Sequence, residues 1–140
     1  MKAAITGSAA APTLVVTESD GTVTTFQPAS GGAGKNLEFR PVSIAAVGDG
    51  SSTTFGYDAA TGVVTRIVAP LPDGLPADSC PPSGVLQPGC RALDLTYQTV
   101  TDPNGKSAQR LVKVSAVLFD PASKQMVTTP VTTYLSLIHI

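Results

Sequence analysis

Ala92-Leu93-Asp94-Leu95-Thr96-Tyr97-Gln98-Thr99, then Asp102-Pro103-Asn104-Gly105, then Leu111-Val112-Lys113-Val114-Ser115-Ala116-Val117-Leu118-Phe119 reads as two strands joined by a tight turn. Apolar and polar residues alternate with a period of two in the first arm, which places Leu93, Leu95 and Tyr97 on one face. Asn-Gly at the tip is a hairpin signal, because these residues adopt positive φ more readily than others. In the return arm, Val112, Val114, Ala116 and Leu118 share one face. Leu111, Lys113, Ser115, Val117 and Phe119 share the other, so this strand is expected to be partly covered on both sides. No segment of the chain carries a sustained 3.6-residue apolar period with caps.

The same pattern extends upstream. Thr13 to Thr17 and Thr22 to Phe26 flank Ser19-Asp20-Gly21 and read as a hairpin. Residues 27–36 are rich in Gly, Ser and Pro and read as a loop. Residues 37–47 read as a strand in which Pro41, lacking an amide donor, marks an edge or a bulge. Strands are expected over residues 51–57 and 63–69, separated by a turn over residues 58–62. A last strand over residues 126–134 is broken or edged by Pro130.

Residues 70–89 hold Pro70, Pro72, Pro76, Pro81, Pro82 and Pro88. A ladder cannot survive so many missing donors. A loop this long inside a compact domain needs a tie. Cys80 and Cys90 flank its second half and are expected to form a disulfide. Such a bridge would contribute roughly 2–3 kcal/mol by restricting the unfolded chain, and it implies an oxidising compartment. A reactive thiol or a zinc site would call for histidine, and the chain has 1, His139, in its last segment.

Composition agrees with a β-rich chain. The 140 residues include 17 Thr and 15 Val, side chains that fit a pleated surface better than a helix. Charged residues make up 14% and the formal net charge is −1, which excludes a polybasic nucleic-acid module and an acidic disordered tail. Hydrophobic residues make up 42%, enough for a buried core. No apolar run approaches the ~18 residues of a membrane helix.

Both ends read as something other than folded domain. Met1 to Pro12 loosely mimics a signal peptide, but Thr6, Gly7 and Ser8 interrupt its apolar region. Residues 1–12 are therefore expected to be disordered or a fragment start. Leu135-Ser136-Leu137-Ile138-His139-Ile140 resembles the translation of a transposase end sequence used to prepare sequencing libraries. Residues 135–140 are accordingly expected to be non-native, which removes the histidine and leaves residues 13–134 as the β-rich region.

Other candidates for chemistry are weak. Ser30-Gly31-Gly32-Ala33-Gly34-Lys35-Asn36 lacks the first Gly and the final hydroxyl of a phosphate loop and reads as a flexible loop. Asp49 between Gly48 and Gly50 reads as a turn, since one carboxylate cannot supply the ~6–8 oxygens that calcium requires. Asp94 and Asp102, with Arg91 or Arg110, read as surface pairs of little worth. Tyr57, Tyr97 and Phe119 fall on strands and are expected to pack in the core. No catalytic residue, metal site or cofactor site is expected.

One motif recurs. Tyr57-Asp58-Ala59-Ala60-Thr61-Gly62 lies sixty-two residues before Phe119-Asp120-Pro121-Ala122-Ser123-Lys124. The shared order is aromatic, Asp, small or Pro, Ala, hydroxyl residue, turn residue. The aromatic ends a strand, and the Asp carboxylate can accept the amides of the turn that follows. Gly62 and Lys124 sit where positive φ is expected, a conformation Lys tolerates less well.

The stretch Phe55-Gly56-Tyr57-Asp58-Ala59-Ala60-Thr61-Gly62-Val63-Val64-Thr65-Arg66-Ile67 resembles the Rhs/YD-repeat family, whose unit centres on Tyr-x-Tyr-Asp-x-x-Gly-Arg and an aliphatic strand. It differs in having Phe55 for the first Tyr, one extra residue before the Gly, and Val63 where Arg is usual. Thr65 to Pro70, Gly89 to Tyr97 and Leu118 to Ala122 are similar to segments of large secreted actinobacterial members. The hairpin from Asp20 to Phe26 resembles the module that precedes such repeats. Val131-Thr132-Thr133-Tyr134 resembles the lead into another Tyr-Asp unit.

The resemblance implies a structural segment of a secreted or wall-associated protein, extracellular and without catalysis. Its repeats would coil into a β-sheet shell that encloses or presents a C-terminal toxin. Its partners would be neighbouring repeats of the same chain and an enclosed effector domain, with neither nucleic acid nor a membrane span. Tyr57, Asp58, Gly62, Phe119 and Asp120 would then be structural residues of the repeat. The fold expected is all-β, built of antiparallel hairpins with a Pro-rich loop, either like a YD-repeat shell or like a β-sandwich. A free-standing carbohydrate- or surface-binding β-module is the competing expectation, and it predicts a patch of exposed aromatics. A small hydrolase is a third, and it predicts a base beside a nucleophile.

Overall fold

The computed structural model describes residues 1–29, 37–48 and 51–134. Residues 30–36, 49–50 and 135–140 lie outside the described residues, and with them the Gly-rich stretch and Asp49 singled out above. The described residues are all-β and their strands are antiparallel: β1 (Lys2–Ser8), β2 (Ala11–Thr17), β3 (Val23–Pro28), β4 (Phe39–Ala45), β5 (Ser52–Tyr57), β6 (Val64–Val68), β7 (Ala92–Thr101), β8 (Ser107–Asp120) and β9 (Gln125–Thr133). The chain divides into two units, Met1–Phe55 and Gly56–Ile140.

In the first unit the strands are paired in chain order. Ile5 pairs with Leu14 and Leu14 with Phe26, while Val16 pairs with Thr24 and Thr24 with Ile44. Directly paired residues share a face, so these side chains form one largely apolar face. Val15, Thr25, Ser43 and Thr54 line the other. The expected bulge is present: Thr25 pairs with Ser43 but Phe26 with Pro41, so Val42 is the extra residue. Lys2–Ser8, expected to be disordered or a fragment start, is a strand paired along its whole length with β2. Its small residues carry little β-propensity of their own, and the ladder to Ala11–Thr17 supplies what they lack. No described residue of this unit is buried.

In the second unit β6, β7, β8 and β9 form an up-and-down meander. The hairpin read from the sequence is its centre, with Ala92↔Val117 at one end and Thr101↔Ser107 at the other. The strands run longer than the alternation suggested, because β8 reaches from Ser107 to Asp120. Pro130 pairs with Ser115 at a bulge where Val131 is the extra residue, a position that tolerates a missing donor.

The core lies on a single face of this meander. Val68, Ala92 and Val117 are paired neighbours on it, and Leu86 and Cys90 from the Pro-rich loop close over them. Leu75, Cys80 and Met126 pack at its margin. Small Ala92 and Ser115 on the sheet leave room for the loop to lie close. The opposite face carries Ile67, Leu93, Leu95, Val114, Ala116, Leu118 and Val127, and there Leu93 is 39% and Leu118 44% exposed. The return strand is buried at Ser115 and Val117 on one face, and on the other Val112, Val114 and Ala116 are half-buried and Leu118 is exposed, so the expected partial cover on both sides is present but uneven. The loop folds back on one side only.

Candidate functional site

The second unit brings together two kinds of site, a loop latched over the sheet and a pair of matching turns. The latch has four holds. Cys80 and Cys90 form the expected disulfide, with Cα atoms 5.5 Å apart. Gln87 N donates to Ser79 O at 3.0 Å and Cys90 N to Gln87 O at 3.1 Å, which folds the loop into a compact lobe. Arg66 on β6 donates through Nη1 to Gly84 O at 2.7 Å, so a sheet residue grips the loop tip. The fourth hold is steric. A Cβ on Gly56 would run into the Pro82 carbonyl, and only glycine lets the loop backbone come that close to β5.

Arg66 is itself held in place. Its Nε donates to Asp94 Oδ1 at 2.6 Å and its Nη2 to Asp94 Oδ2 at 2.9 Å, a two-pronged ion pair between adjacent strands. The pair is partly buried, at 18% and 31% side-chain exposure. The hydrogen bond to Asp94 raises the pKa of the guanidinium further, so it stays charged. The expected pairing of Asp94 with Arg91 or Arg110 is therefore replaced by Arg66, which stands directly opposite Asp94 in the β6–β7 ladder. Asp102 belongs to a turn instead: its Oδ1 accepts from Asn104 N and Lys106 N, both at 2.9 Å. Beside the Arg66–Asp94 pair lies an open depression of about 340 Å³, bordered by Thr65, Ser83, Leu95 and Thr96.

The twin turns share their chemistry. Asp58 Oδ1 accepts from Ala60 N at 3.1 Å, and from Thr61 N and Thr61 Oγ1 at 2.7 Å each. Asp120 accepts from Ala122 N at 3.0 Å on Oδ1 and from Ser123 N at 3.2 Å on Oδ2. The amides two and three residues ahead are satisfied in both turns. Gly62 has φ 73° and Lys124 φ 56°, as the motif predicted. Hydrogen bonds from Thr61 hold the Asp58 carboxyl below its usual range. Those from Ser123, then Ala122, do the same for Asp120.

Tyr57, Tyr97 and Phe119 are half-buried, and the core contains no aromatic, so their expected place in it is corrected. Among the described residues Tyr134 alone of the aromatics is exposed, at 51%. One exposed ring does not make a stacking platform. Every buried side-chain nitrogen and oxygen among the described residues has a hydrogen-bond partner. No group of three metal-ligating side chains is present among the described residues. No helix among them is long and apolar enough to cross a membrane. The disulfide is compatible with an extracellular location.

No protein-family model matches the chain, and no curated protein and no solved structure is detectably similar to it.

Local sequence could not have revealed the Arg66 grip or the Gly56 approach. Their partners, Gly84 and Pro82, lie 18 and 26 residues away, in a loop whose course no periodicity encodes.

Proposed function

We propose that this chain is a non-catalytic structural segment of an Rhs/YD-repeat secreted or cell-surface protein, contributing to a β-shell that encloses or presents a C-terminal effector. The observation that carries this reading is the recurrence of one turn. Two aromatic–Asp segments sixty-two residues apart end strands, cap the next amides with the Asp carboxylate, and close on a positive-φ residue. A repeat unit is a local structure that recurs and buries its apolar surface against its neighbours. The half-covered second unit fits that description, with one face closed by its own loop and an uncharged apolar face left for the next layer. Partners on this reading are adjacent repeats of the same chain and the enclosed domain, and the location is extracellular or at the cell wall.

The test is the solution behaviour of residues 1–134 expressed alone in an oxidising compartment. A shell segment is expected to self-associate through its open edges and apolar face, and to melt over a broad range. A stable monomer with a sharp cooperative melt would overturn the shell reading in favour of a self-sufficient module.

A further inference from the structure

The Cys80–Cys90 bridge is asymmetric. Cys90 is 0% exposed and belongs to the core, whereas Cys80 is half-buried at its margin. Thiol–disulfide exchange requires a thiolate to reach one of the two sulfurs, and access decides which is attacked.

We propose that Cys80 Sγ is the site of thiol–disulfide exchange in this chain, and that exchange there unlatches residues 81–89 from the core while β6 to β9 stay paired. The attacking group is a low-molecular-weight thiol. Its thiolate forms a new S–S bond to Cys80 Sγ as the Cys80–Cys90 bond breaks. The electron pair leaves on Cys90 Sγ, which takes up a proton from water. The product is a mixed disulfide on Cys80 and a thiol at Cys90. A second thiolate would displace Cys80 as a thiol, oxidising two external thiols to their disulfide and reducing the protein.

The surroundings suit this direction. Cys90 Sγ lies 3.1 Å from the Ser79 carbonyl oxygen, so the new thiol has an acceptor for its hydrogen without moving. A thiol in that buried position is a poor nucleophile for reclosure. The segment between the two cysteines contains Leu86, which is 6% exposed over Val68, Ala92 and Val117. Once the bridge opens, that segment keeps the Arg66–Gly84 and Gln87–Ser79 hydrogen bonds, the close approach of Pro82 to Gly56 and the packing of Leu86. The ladders of β7 with β8 and of β8 with β9 make no use of the loop. Opening is therefore local, as for other weakly held segments on a stable frame.

The experiment uses the full oxidised chain and reduced glutathione. Samples are quenched with acid, blocked with N-ethylmaleimide and mapped by peptide mass spectrometry, with amide exchange followed in parallel. The expected result is glutathione on Cys80 and maleimide on Cys90, on the order of tenfold over the reverse isomer. Amides near Leu86 lose protection, and those of β7 and β8 keep theirs. Adducts shared evenly, adducts mainly on Cys90, or no adduct under a large excess of thiol would overturn the assignment of Cys80. Loss of protection in β7 and β8 together with the adduct would overturn the local unlatching.

Discussion

Gly62 and Lys124 hold the same place in two turns sixty-two residues apart, with φ of 73° and 56°. Among the described residues Lys124 is the one non-glycine residue at positive φ. The conformation is therefore required by the turn rather than permitted by the residue. A left-handed Lys costs about 1–2 kcal/mol relative to its relaxed backbone.

Lys124→Gly is accordingly expected to stabilise the chain by about 1 kcal/mol, and Gly62→Ala to destabilise it by a similar amount. Urea unfolding of the two variants checks the pair of signs. Loss of stability in both would mean that the two turns are not equivalent.

The two turn aspartates make a pH prediction. Both carboxyls have folded pKa values lowered from 3.8 by the turn hydrogen bonds. A carboxyl depressed in the folded state contributes stability above its unfolded value, and that contribution is lost as pH falls through the folded value. Stability is thus expected to decline below about pH 4, and the double variant Asp58→Asn with Asp120→Asn to decline less steeply. Thermal melts between about pH 5 and pH 2 measure the difference in slope.

Arg66 grips the loop and the neighbouring strand at once, so its fork matters more than its charge. Arg66→Lys is expected to cost about 1–3 kcal/mol, since one ammonium cannot serve Asp94 with two prongs and Gly84 as well. Asp94→Asn should cost a similar amount, and the double variant less than the sum. Fully additive losses would show that the two side chains are not coupled.

Leu86→Ala is expected to cost about 2–4 kcal/mol, because Leu86 is the loop's buried apolar side chain over Val68, Ala92 and Val117. Val85→Ala, one residue earlier at 82% exposure, is expected to change stability by no more than about 0.5 kcal/mol. Denaturant midpoints of the two variants compare buried and exposed neighbours in one loop.

The hairpins were legible because their signals are local. Asp20-Gly21, Asn104-Gly105 and the Asp58 and Asp120 turns each carry within six residues the groups that make them. The disulfide was legible from a spacing that suits a short loop. The choice of core face was not. Alternation groups Leu93 with Leu95, yet the buried side is that of Ala92 and Ser115, because the Pro-rich loop folds back over those small residues. Alternation states which residues share a face and not which face another segment covers. Strand β1 was missed for a related reason, since its pairing with β2 is tertiary support for a weak local sequence.

The most direct measurement is the coding sequence that follows the Tyr134 codon in the source DNA. A shell segment predicts that native residues replace 135–140, and that further aromatic–Asp turns with a positive-φ closing residue follow. A genuine stop codon after Ile140, with no such unit on either side, would contradict the account and leave a small self-contained β-protein.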